Sequence, residues 1–340
     1  MLQNMTAPID ILFVIAPHSL LLDIAGPAEA FRLVNTRHAE HGQGPQFRLR
    51  FAGPVTSIPT SVGLPIAQLE PLPAAFATTT WVVLVGQPSV HVRRTTPEVI
   101  AISHWLGRVL RPHLEATNSA HRLLAVCSGT LLAARSGLLT GRRCTTHHDL
   151  LDFLKSRAPR VSVVANRVFV VDDRVASTAG ITAGIDLALY LIAQECGEAM
   201  AMNIAEDMVV YLRRSPRDTE LSPYLRHRRH RAAAVHRVQE AISAAPERDW
   251  TMPAMASVGH VTERHLLRLF VQHCGVSPLD FLRTIRLERA RQLIERGASV
   301  AHAAETSGYS SSLRLRRAWK REWGGSPRDA VANIRHNPVR

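Results

Sequence analysis

The chain has 340 residues, of which 46% are hydrophobic and 20% charged, so it can bury two ordinary cores and two domains are expected. Its four cysteines show neither paired disulfide spacing nor a CxxC pattern, which excludes a disulfide framework and indicates a reducing cytoplasm. No signal peptide is recognisable, and the apolar runs 9–16 and 181–193 are too short for a membrane span, so we expect a soluble protein that does not contact the membrane.

The net charge of +13 is concentrated toward the C-terminus. Residues 226–340 hold 21 Lys and Arg against 10 Asp and Glu, whereas residues 1–225 hold 20 against 18. A basic surface confined to one region is what binding to the phosphates of nucleic acid requires.

The first half of the chain alternates strand and helix patterns. Residues 9–16 form the continuous apolar run that is typical of a strand covered on both faces. Further strands are predicted at 47–53, 81–86 and 122–127, and helices at 28–34, 96–111 and 129–135. This alternation predicts an α/β sandwich with a mainly parallel sheet.

After Gly141 the elements become shorter. We expect two strands joined in a hairpin at Asn166 and Arg167, followed by helices over 182–194 and 199–212. The segment 213–231 contains two prolines and a dense Arg/His run, which indicates a linker between domains.

One turn in this half contains residues that could form a reactive site. In AVCSGTLLAARSGLL a strand ends at Cys127, and Ser128 and Gly129 open a helix. Such a turn aims backbone N–H groups and the helix dipole at the side chain at its apex, which would lower the pKa of a thiol and form an oxyanion hole. A small buried side chain at a tight turn gives the same local pattern, so both interpretations stay open.

Five motifs resemble the ThiJ/PfpI domain, which is similar to class I glutamine amidotransferases and has a flavodoxin-like fold. They are LLDIAGPAEAF, VVLVGQP, AVCSGTLLAARSGLL, CTTHHDL and STAGITAGIDLALYLI, within about residues 9–200. The resemblance implies that Cys127 is the elbow cysteine, that Asp23 points at its sulfur and that His147 is the nearby histidine. It also implies backbone donors at Gly86 and Ser128. The sequence departs from the family at VGQP, where two glycines are more usual.

These residues allow two kinds of function. Cysteine, histidine and aspartate could act as nucleophile, base and acidic partner, and relatives of this domain include hydratases that use such a cysteine. However, an ionised Asp23 would oppose formation of the Cys127 thiolate. The site is therefore expected to hold a small polar ligand rather than to transform it.

The C-terminal part contains a repeat. When the chain is displaced by 49 residues, LLRLFVQHCGVSPLD at 266–280 falls on LRRAWKREWGGSPRD at 315–329. Each block has the pattern helix, turn, capped helix, which predicts two helix-turn-helix units, although a plain helical repeat is the alternative. Between them, Ser277 and Pro278 start a connecting helix that continues to Ile294 and carries apolar residues on two sides.

This region resembles the AraC/XylS DNA-binding domain through the doubled unit, RLERARQLI, and WGGSP followed by Arg328. The resemblance covers about 110 residues and implies recognition helices at 262–272 and 311–321 that enter adjacent major-groove segments. Helical spacing turns Leu266 and Phe270 in one, and Leu315 and Trp319 in the other, toward the core. The expected DNA-contacting residues are Thr262, Arg264, Leu267, Arg268, Ser311, Ser312, Arg314, Arg316 and Arg317.

The two resemblances together indicate the GlxA class of transcriptional regulators. We expect a sensor domain at 1–212, a linker at 213–231 and an all-α double helix-turn-helix domain at 232–340. The expected partners are double-stranded DNA, a small-molecule effector of unknown identity, a second copy of the chain and RNA polymerase. No cofactor or metal is expected, because no metal-ligand motif is recognisable. The alternatives are a cysteine-dependent hydratase or hydrolase, similar to isonitrile hydratase, with a DNA-binding appendage, and a redox sensor based on Cys127.

Overall fold

The computed structural model describes residues 7–327, apart from 181, 211–212, 217, 219, 221–226, 228–229, 296 and the side chain of Glu295. Two compact units divide the chain at Glu220 and Leu221. The expected helix end at Leu212 and the motif residue Arg328 lie outside the described residues.

A seven-stranded sheet forms the centre of the first unit, and its order is β10-β11-β7-β6-β1-β2-β5. All neighbouring strands in it are parallel except β10 and β11, which are antiparallel. The strands of the sheet are β1 (Ile9–Val14), β2 (Phe47–Gly53), β5 (Glu70–Pro71), β6 (Thr80–Leu84), β7 (Arg122–Ala125), β10 (Phe169–Asp172) and β11 (Val175–Thr178). Two short pairs lie outside it: β3 (Ser57–Pro59) with β4 (Pro65–Ala67), and β8 (Arg143–Cys144) with β9 (Ser162–Val163).

Both faces of the sheet are covered by helices, which explains the continuous apolar strands. In β1, Ile11 and Phe13 belong to one core and Leu12 and Val14 to the other. The first core contains side chains of α1 (Leu21–Glu40), α7 (Ala183–Cys196) and α8 (Glu198–Asp207). The second contains side chains of α3 (Pro97–Trp105), α4 (Arg111–Glu115), α5 (Gly129–Arg135) and α6 (Leu151–Arg157). The short helix α2 (Ser89–Val92) precedes α3, a π-helical turn (Leu106–Leu110) joins α3 to α4, and a 3₁₀ turn (His148–Leu150) precedes α6. The α/β sandwich predicted from the sequence is confirmed.

Two local expectations for this unit were wrong. The hairpin turns at Asp173 and Arg174, between β10 and β11, whereas Asn166 lies between β9 and β10, two strands that do not pair with each other. Asn166 and Asp173 both have positive φ, 55° and 56°, so either could have formed the turn. The first helix begins at Leu21, before Pro27 rather than after it.

The predicted linker begins with residues that contact the first unit. Arg214 donates to the buried carboxylate of Asp186, with Nη2–Oδ2 at 2.6 Å, and the Val168 N–H donates to the Asp218 carbonyl at 3.1 Å. A buried carboxylate needs such a cation, and a strand-end amide needs such an acceptor. The segment 213–231 as a linker, and the domain bounds derived from it, stay predictions.

The second unit contains two helix-turn-helix units of matching construction. The first follows α9 (Ala233–Ala244) and consists of α10 (Met252–Gly259) and α11 (Glu263–Cys274); the second consists of α13 (Val300–Thr306) and α14 (Ser312–Trp323). Helices α11 and α14 both have 12 residues, and their starts are 49 positions apart. Each ends at a glycine in the left-handed region, where an L side chain would be strained. The repeated helix-turn-helix prediction is confirmed.

The connecting helix α12 (Pro278–Glu295) belongs to both helix-turn-helix cores. Its first half contributes Phe281, Leu282 and Ile285 to one core, and its second half contributes Leu287, Ala290 and Ile294 to the other. Leu279, an apolar residue at the start of this helix, is 44% exposed. No helix in the described part of the chain has the length and apolar character needed to cross a membrane.

Candidate functional site

Cys127 lies at a strained turn between β7 and α5. Its φ is +53°, a conformation that few residues other than glycine adopt. The backbone N–H of Cys127 donates to Thr178 Oγ1 at 3.2 Å, and its carbonyl accepts from Thr146 Oγ1 at 2.9 Å. These two hydroxyl groups from neighbouring segments hold the turn.

The structure brings four of the five predicted pocket residues together. The Gly86 N–H donates to Asp23 Oδ2 at 3.2 Å. A Cβ on Gly86 would lie 2.6 Å from Asp23 Oδ2, 3.0 Å from Cys127 Cβ and 3.1 Å from the Ser128 nitrogen. Position 86 therefore has no room for a side chain, because the acid, the thiol and the start of α5 meet there.

His147, the fifth residue, has different described partners. It accepts the Asp149 N–H at Nδ1, with a distance of 3.3 Å, and its ring centroid lies 4.1 Å from that of His148. The Ser128 side chain also has a role that the sequence did not predict, because its Oγ both accepts from the Gln87 N–H and donates to the Gln87 carbonyl, each at 2.7 Å.

The predicted recognition helices expose the expected surface. Leu266 and Phe270 of α11, and Leu315 and Trp319 of α14, are buried. Ser312 is half-buried, whereas the other predicted contact residues are exposed: Thr262, Arg264, Leu267, Arg268, Ser311, Arg314, Arg316 and Arg317. Thr262 and Ser311 accept backbone N–H groups at 3.3 Å and thereby cap their helices.

Two family models match the chain, one in each unit. The DJ-1/PfpI family matches residues 95–194, and a helix-turn-helix domain matches residues 255–333. The chain combines a DJ-1/PfpI domain with an AraC-type helix-turn-helix domain. Cys127 and His147 lie inside the DJ-1/PfpI match, and all nine predicted DNA-contacting residues lie inside the helix-turn-helix match.

Similar proteins carry the name HTH-type transcriptional regulator. GbdR of Pseudomonas aeruginosa is 30% identical over 210 residues, which are 61% of this chain and 57% of that relative. GlxA of Rhizobium meliloti is 30% identical over 207 residues, which are 61% of this chain and 64% of that relative. A solved structure of an AraC family transcriptional regulator from Pseudomonas putida matches with a TM-score of 0.48 and 18% identity, over 59% of this chain and 100% of that one. The chain thus spans less than two thirds of the length of GbdR and GlxA.

Electrostatics in the DJ-1/PfpI domain oppose a reactive thiol. Burial raises the pKa of Asp23 to about 7, and the Gly86 N–H lowers it only in part. Burial, and then the charge of Asp23, raise the pKa of the Cys127 thiol far above its usual range, although the Ser128 N–H lowers it somewhat. Of the two interpretations of this turn, the lowered thiol pKa is contradicted, because desolvation outweighs the hydrogen bond from the helix start.

Glu220 is a residue near the candidate site that sequence reasoning missed. Its charge also raises the pKa of Cys127, and its Oε1 lies 2.6 Å from His148 Nδ1. No local signal marks it, since it is 72 positions from His148 and falls in the segment interpreted as linker.

Within the DJ-1/PfpI domain, the Asp23 Oδ1 and Gln87 Oε1 oxygens are buried and have no hydrogen-bond partner among the described residues. Asp23 accepts the Gly86 N–H through its other carboxylate oxygen, and Gln87 contacts Ser128 through its backbone N–H and carbonyl. These two buried oxygens are hydrogen-bond acceptors, whereas a protonated Cys127 thiol is a donor, so the site offers both kinds of group to a small polar ligand. A groove of about 500 Å³ elsewhere in the domain, lined in part by Ile9, Thr79 and Arg122, lies at the opposite ends of the strands.

A row of three arginines on α12, Arg283, Arg286 and Arg289, is engaged within the helix-turn-helix domain. Arg286 donates to the carbonyls of Pro246 and Arg248 at 2.8 and 2.9 Å. Arg289 pairs with Glu247 at 2.8 Å, and Arg283 with Asp280 at 2.7 Å. This row therefore stabilises the domain, while exposed Lys320 and Arg321 on α14 extend the basic surface beyond the predicted residues.

Proposed function

We propose that the protein is a sequence-specific transcriptional regulator that binds double-stranded DNA through α11 and α14, while its DJ-1/PfpI domain senses a small metabolite. The observation that best supports DNA binding is the pair of helices α11 and α14, which have the same length and the same kind of caps. Both expose basic side chains on one face and bury apolar side chains on the other. Transcriptional regulators among the similar proteins support the same function.

The two helices are suited to different contacts in the major groove. Helix α14 exposes five cationic side chains, which can bind phosphates and guanine edges: Arg314, Arg316, Arg317, Lys320 and Arg321. Helix α11 exposes Arg264 and Arg268 beside Leu267 and Val271, which are 43% and 53% exposed. Apolar side chains of this kind contact thymine methyl groups. We infer that α11 contributes relatively more base discrimination and α14 more affinity.

Arg268→Ala and Arg317→Ala test this interface. Each should weaken binding to a selected operator by about 1–3 kcal/mol if it reads a base. The measurement is fluorescence anisotropy on operators obtained by in vitro selection, compared with random duplexes at several salt concentrations. Arg289→Ala is the control, because Arg289 is paired with Glu247. Equal losses on operator and random DNA would instead make these residues phosphate contacts, and unchanged binding in both variants would contradict the interface.

The sensing part of the proposal rests on the protonated, buried Cys127. A hydrolytic or hydratase mechanism needs a thiolate, and oxidation likewise proceeds through an accessible thiolate. Cys127 is 3% exposed and has a raised pKa, so neither alternative is favoured.

Cys127→Ser is accordingly expected to keep operator affinity within about twofold, since DNA binding lies in the other unit, and to change the response to the effector. The effector can be sought by mass spectrometry of the purified protein. The response is then measured as the change in operator affinity, by fluorescence anisotropy, when that effector is added. Turnover of small nitriles, isonitriles or amides that disappears in Cys127→Ser would establish the enzyme alternative. A peroxide-dependent change in DNA affinity that disappears in the same variant would establish the redox alternative.

We further propose that the protein acts as a cytoplasmic homodimer, paired through its N-terminal unit, and that it contacts RNA polymerase at promoters. One domain with two helix-turn-helix units recognises a short DNA site, and each mismatched base pair costs only about 1–3 kcal/mol. Pairing two such domains lengthens the recognised site and so improves discrimination between DNA sequences. Light scattering of the full chain at micromolar concentration should give twice the chain mass. A monomer under these conditions would contradict the dimer.

A further inference from the structure

We propose that His147, His148 and Glu220 bind one divalent transition-metal cation of the zinc type. One ligand atom from each side chain lies within 4.8 Å of the other two. The Glu220 side chain is 8% exposed, and those of His148 and His147 are 20% and 30% exposed. The three residues therefore form a half-buried group that a hydrated ion can reach.

The closest contact in this group is a hydrogen bond between two of the proposed ligands. Glu220 Oε1 lies 2.6 Å from His148 Nδ1 and also accepts the His148 backbone N–H at 3.1 Å, so both groups are held in place. A zinc ion bonded to both would separate them to about 3.3 Å, since Zn–N and Zn–O distances are near 2.0–2.1 Å in tetrahedral sites. Replacing the shared proton by the ion therefore requires a side-chain adjustment of less than about 1 Å.

A second carboxylate lies where an outer partner of a metal-bound histidine is found. Asp149 Oδ1 is 3.4 Å from His148 Nε2, the ring nitrogen that faces away from Glu220. Asp149 Oδ2 is 3.7 Å from His147 Nδ1. A carboxylate on the far nitrogen fixes the tautomer of a ligating imidazole and raises its basicity. Metal binding requires both imidazoles to be neutral, so the two histidines, Glu220 and Asp149 together carry two negative charges.

The ligand set selects the class of cation. Two imidazoles and one carboxylate suit zinc, cobalt or nickel, whereas magnesium and calcium prefer oxygen ligands alone. Three protein ligands leave a coordination position for water or for a small molecule. Thr146, the residue before His147, donates its hydroxyl to the Cys127 carbonyl at 2.9 Å, so the ion would lie near the candidate effector pocket.

The test uses the full chain after removal of metal with EDTA and dialysis. Titration with zinc in a calorimeter should give one equivalent per chain, and cobalt should produce the visible absorption of a four- or five-coordinate site. His148→Gln and Glu220→Gln should each weaken binding by at least about 100-fold, and Asp149→Asn by about 10–100-fold. Circular dichroism establishes that each variant is folded.

His230→Gln is the matched control. His230 belongs to another histidine cluster, with its ring 4.4 Å from His236 and 5.5 Å from His273, and its Nε2 lies 3.5 Å from Cys274 Sγ. This variant should keep one equivalent of zinc at unchanged affinity. Absence of stoichiometric binding, binding that survives both His148→Gln and Glu220→Gln, or binding that His230→Gln abolishes would overturn the proposal. These readouts do not involve DNA, so they are independent of the proposed regulatory function.

Discussion

The Asp23→Asn variant is expected to gain about 2–3 kcal/mol of stability over the wild type at pH 8 relative to pH 5, because one pKa unit corresponds to about 1.4 kcal/mol and about two units of the shift lie above pH 5. The pKa of Asp23 rises from 3.8 to about 7 on folding. Between these values the folded chain binds more protons than the unfolded chain, so the free energy of unfolding falls as pH rises. The stabilising contribution of the Asp23 carboxyl is complete below pH 3.8 and is lost as the pH rises through 7. Asparagine has no charge to bury and can still accept the Gly86 N–H.

Local unfolding of this domain can be followed through Cys144, which is fully buried in it. Pulsed labelling with dithiodipyridine after equilibration in urea gives the unfolding midpoint at each pH. Asp152→Asn is the control, because the Asp152 side chain is 99% exposed. If the unfolding midpoints of the wild type and of Asp23→Asn change with pH in the same way, the Asp23 carboxyl is not held protonated by burial.

Gly129→Ala is expected to destabilise the same domain by about 3 kcal/mol or more, the upper range for overpacking a core. A Cβ at this position would lie within contact distance of the Leu84 carbonyl oxygen, 2.8 Å from its carbonyl carbon and 3.2 Å from its Cβ. Leu84 belongs to a central strand with neighbours on both sides, so its backbone cannot give way. Helix α5 would have to move, and the Cys127 turn with it.

Gly107→Ala provides the comparison for Gly129→Ala. A Cβ at Gly107 would meet only Arg111 Nη2, at 3.9 Å, and alanine is favoured over glycine in a helix by about 1 kcal/mol. The Cys144 labelling midpoint should therefore stay or rise in this variant. If Gly129→Ala stays within about 1 kcal/mol of the wild type, the close approach of α5 to β6 is not a packing constraint.

Sequence reasoning succeeded where the signal is local. The stretches 11–14 and 81–84 of two central strands are continuous apolar runs because helices cover both faces of the sheet. The repeat could be located to the residue because Thr262 and Ser311 cap one end of each recognition helix and glycines terminate the other. These features depend on a few neighbouring residues, so they can be recognised without knowledge of the fold.

It failed where the outcome depends on distant partners. The raised pKa of Cys127 follows from burial and from Asp23, more than 100 positions away, whereas the local turn alone suggested a lowered value. Arg286 could not be distinguished from a DNA-contacting arginine, because its partners are carbonyl groups about 40 positions earlier. The position of Glu220 beside the two histidines likewise depends on tertiary packing.

One helix shared by two cores has a consequence for the DNA that the protein can recognise. Residues of α12 advance by about 1.5 Å and rotate by about 100° each, so inserting one residue would turn the second helix-turn-helix unit away from the first. The distance and the rotation angle between the two helix-turn-helix units are thus fixed within the protein, because Ile285 packs in the core of one unit and Leu287 in the core of the other. For the proposed regulator, each base substitution within either half of a selected operator should therefore weaken binding gradually, whereas a single base pair inserted between the halves should abolish simultaneous binding of both units.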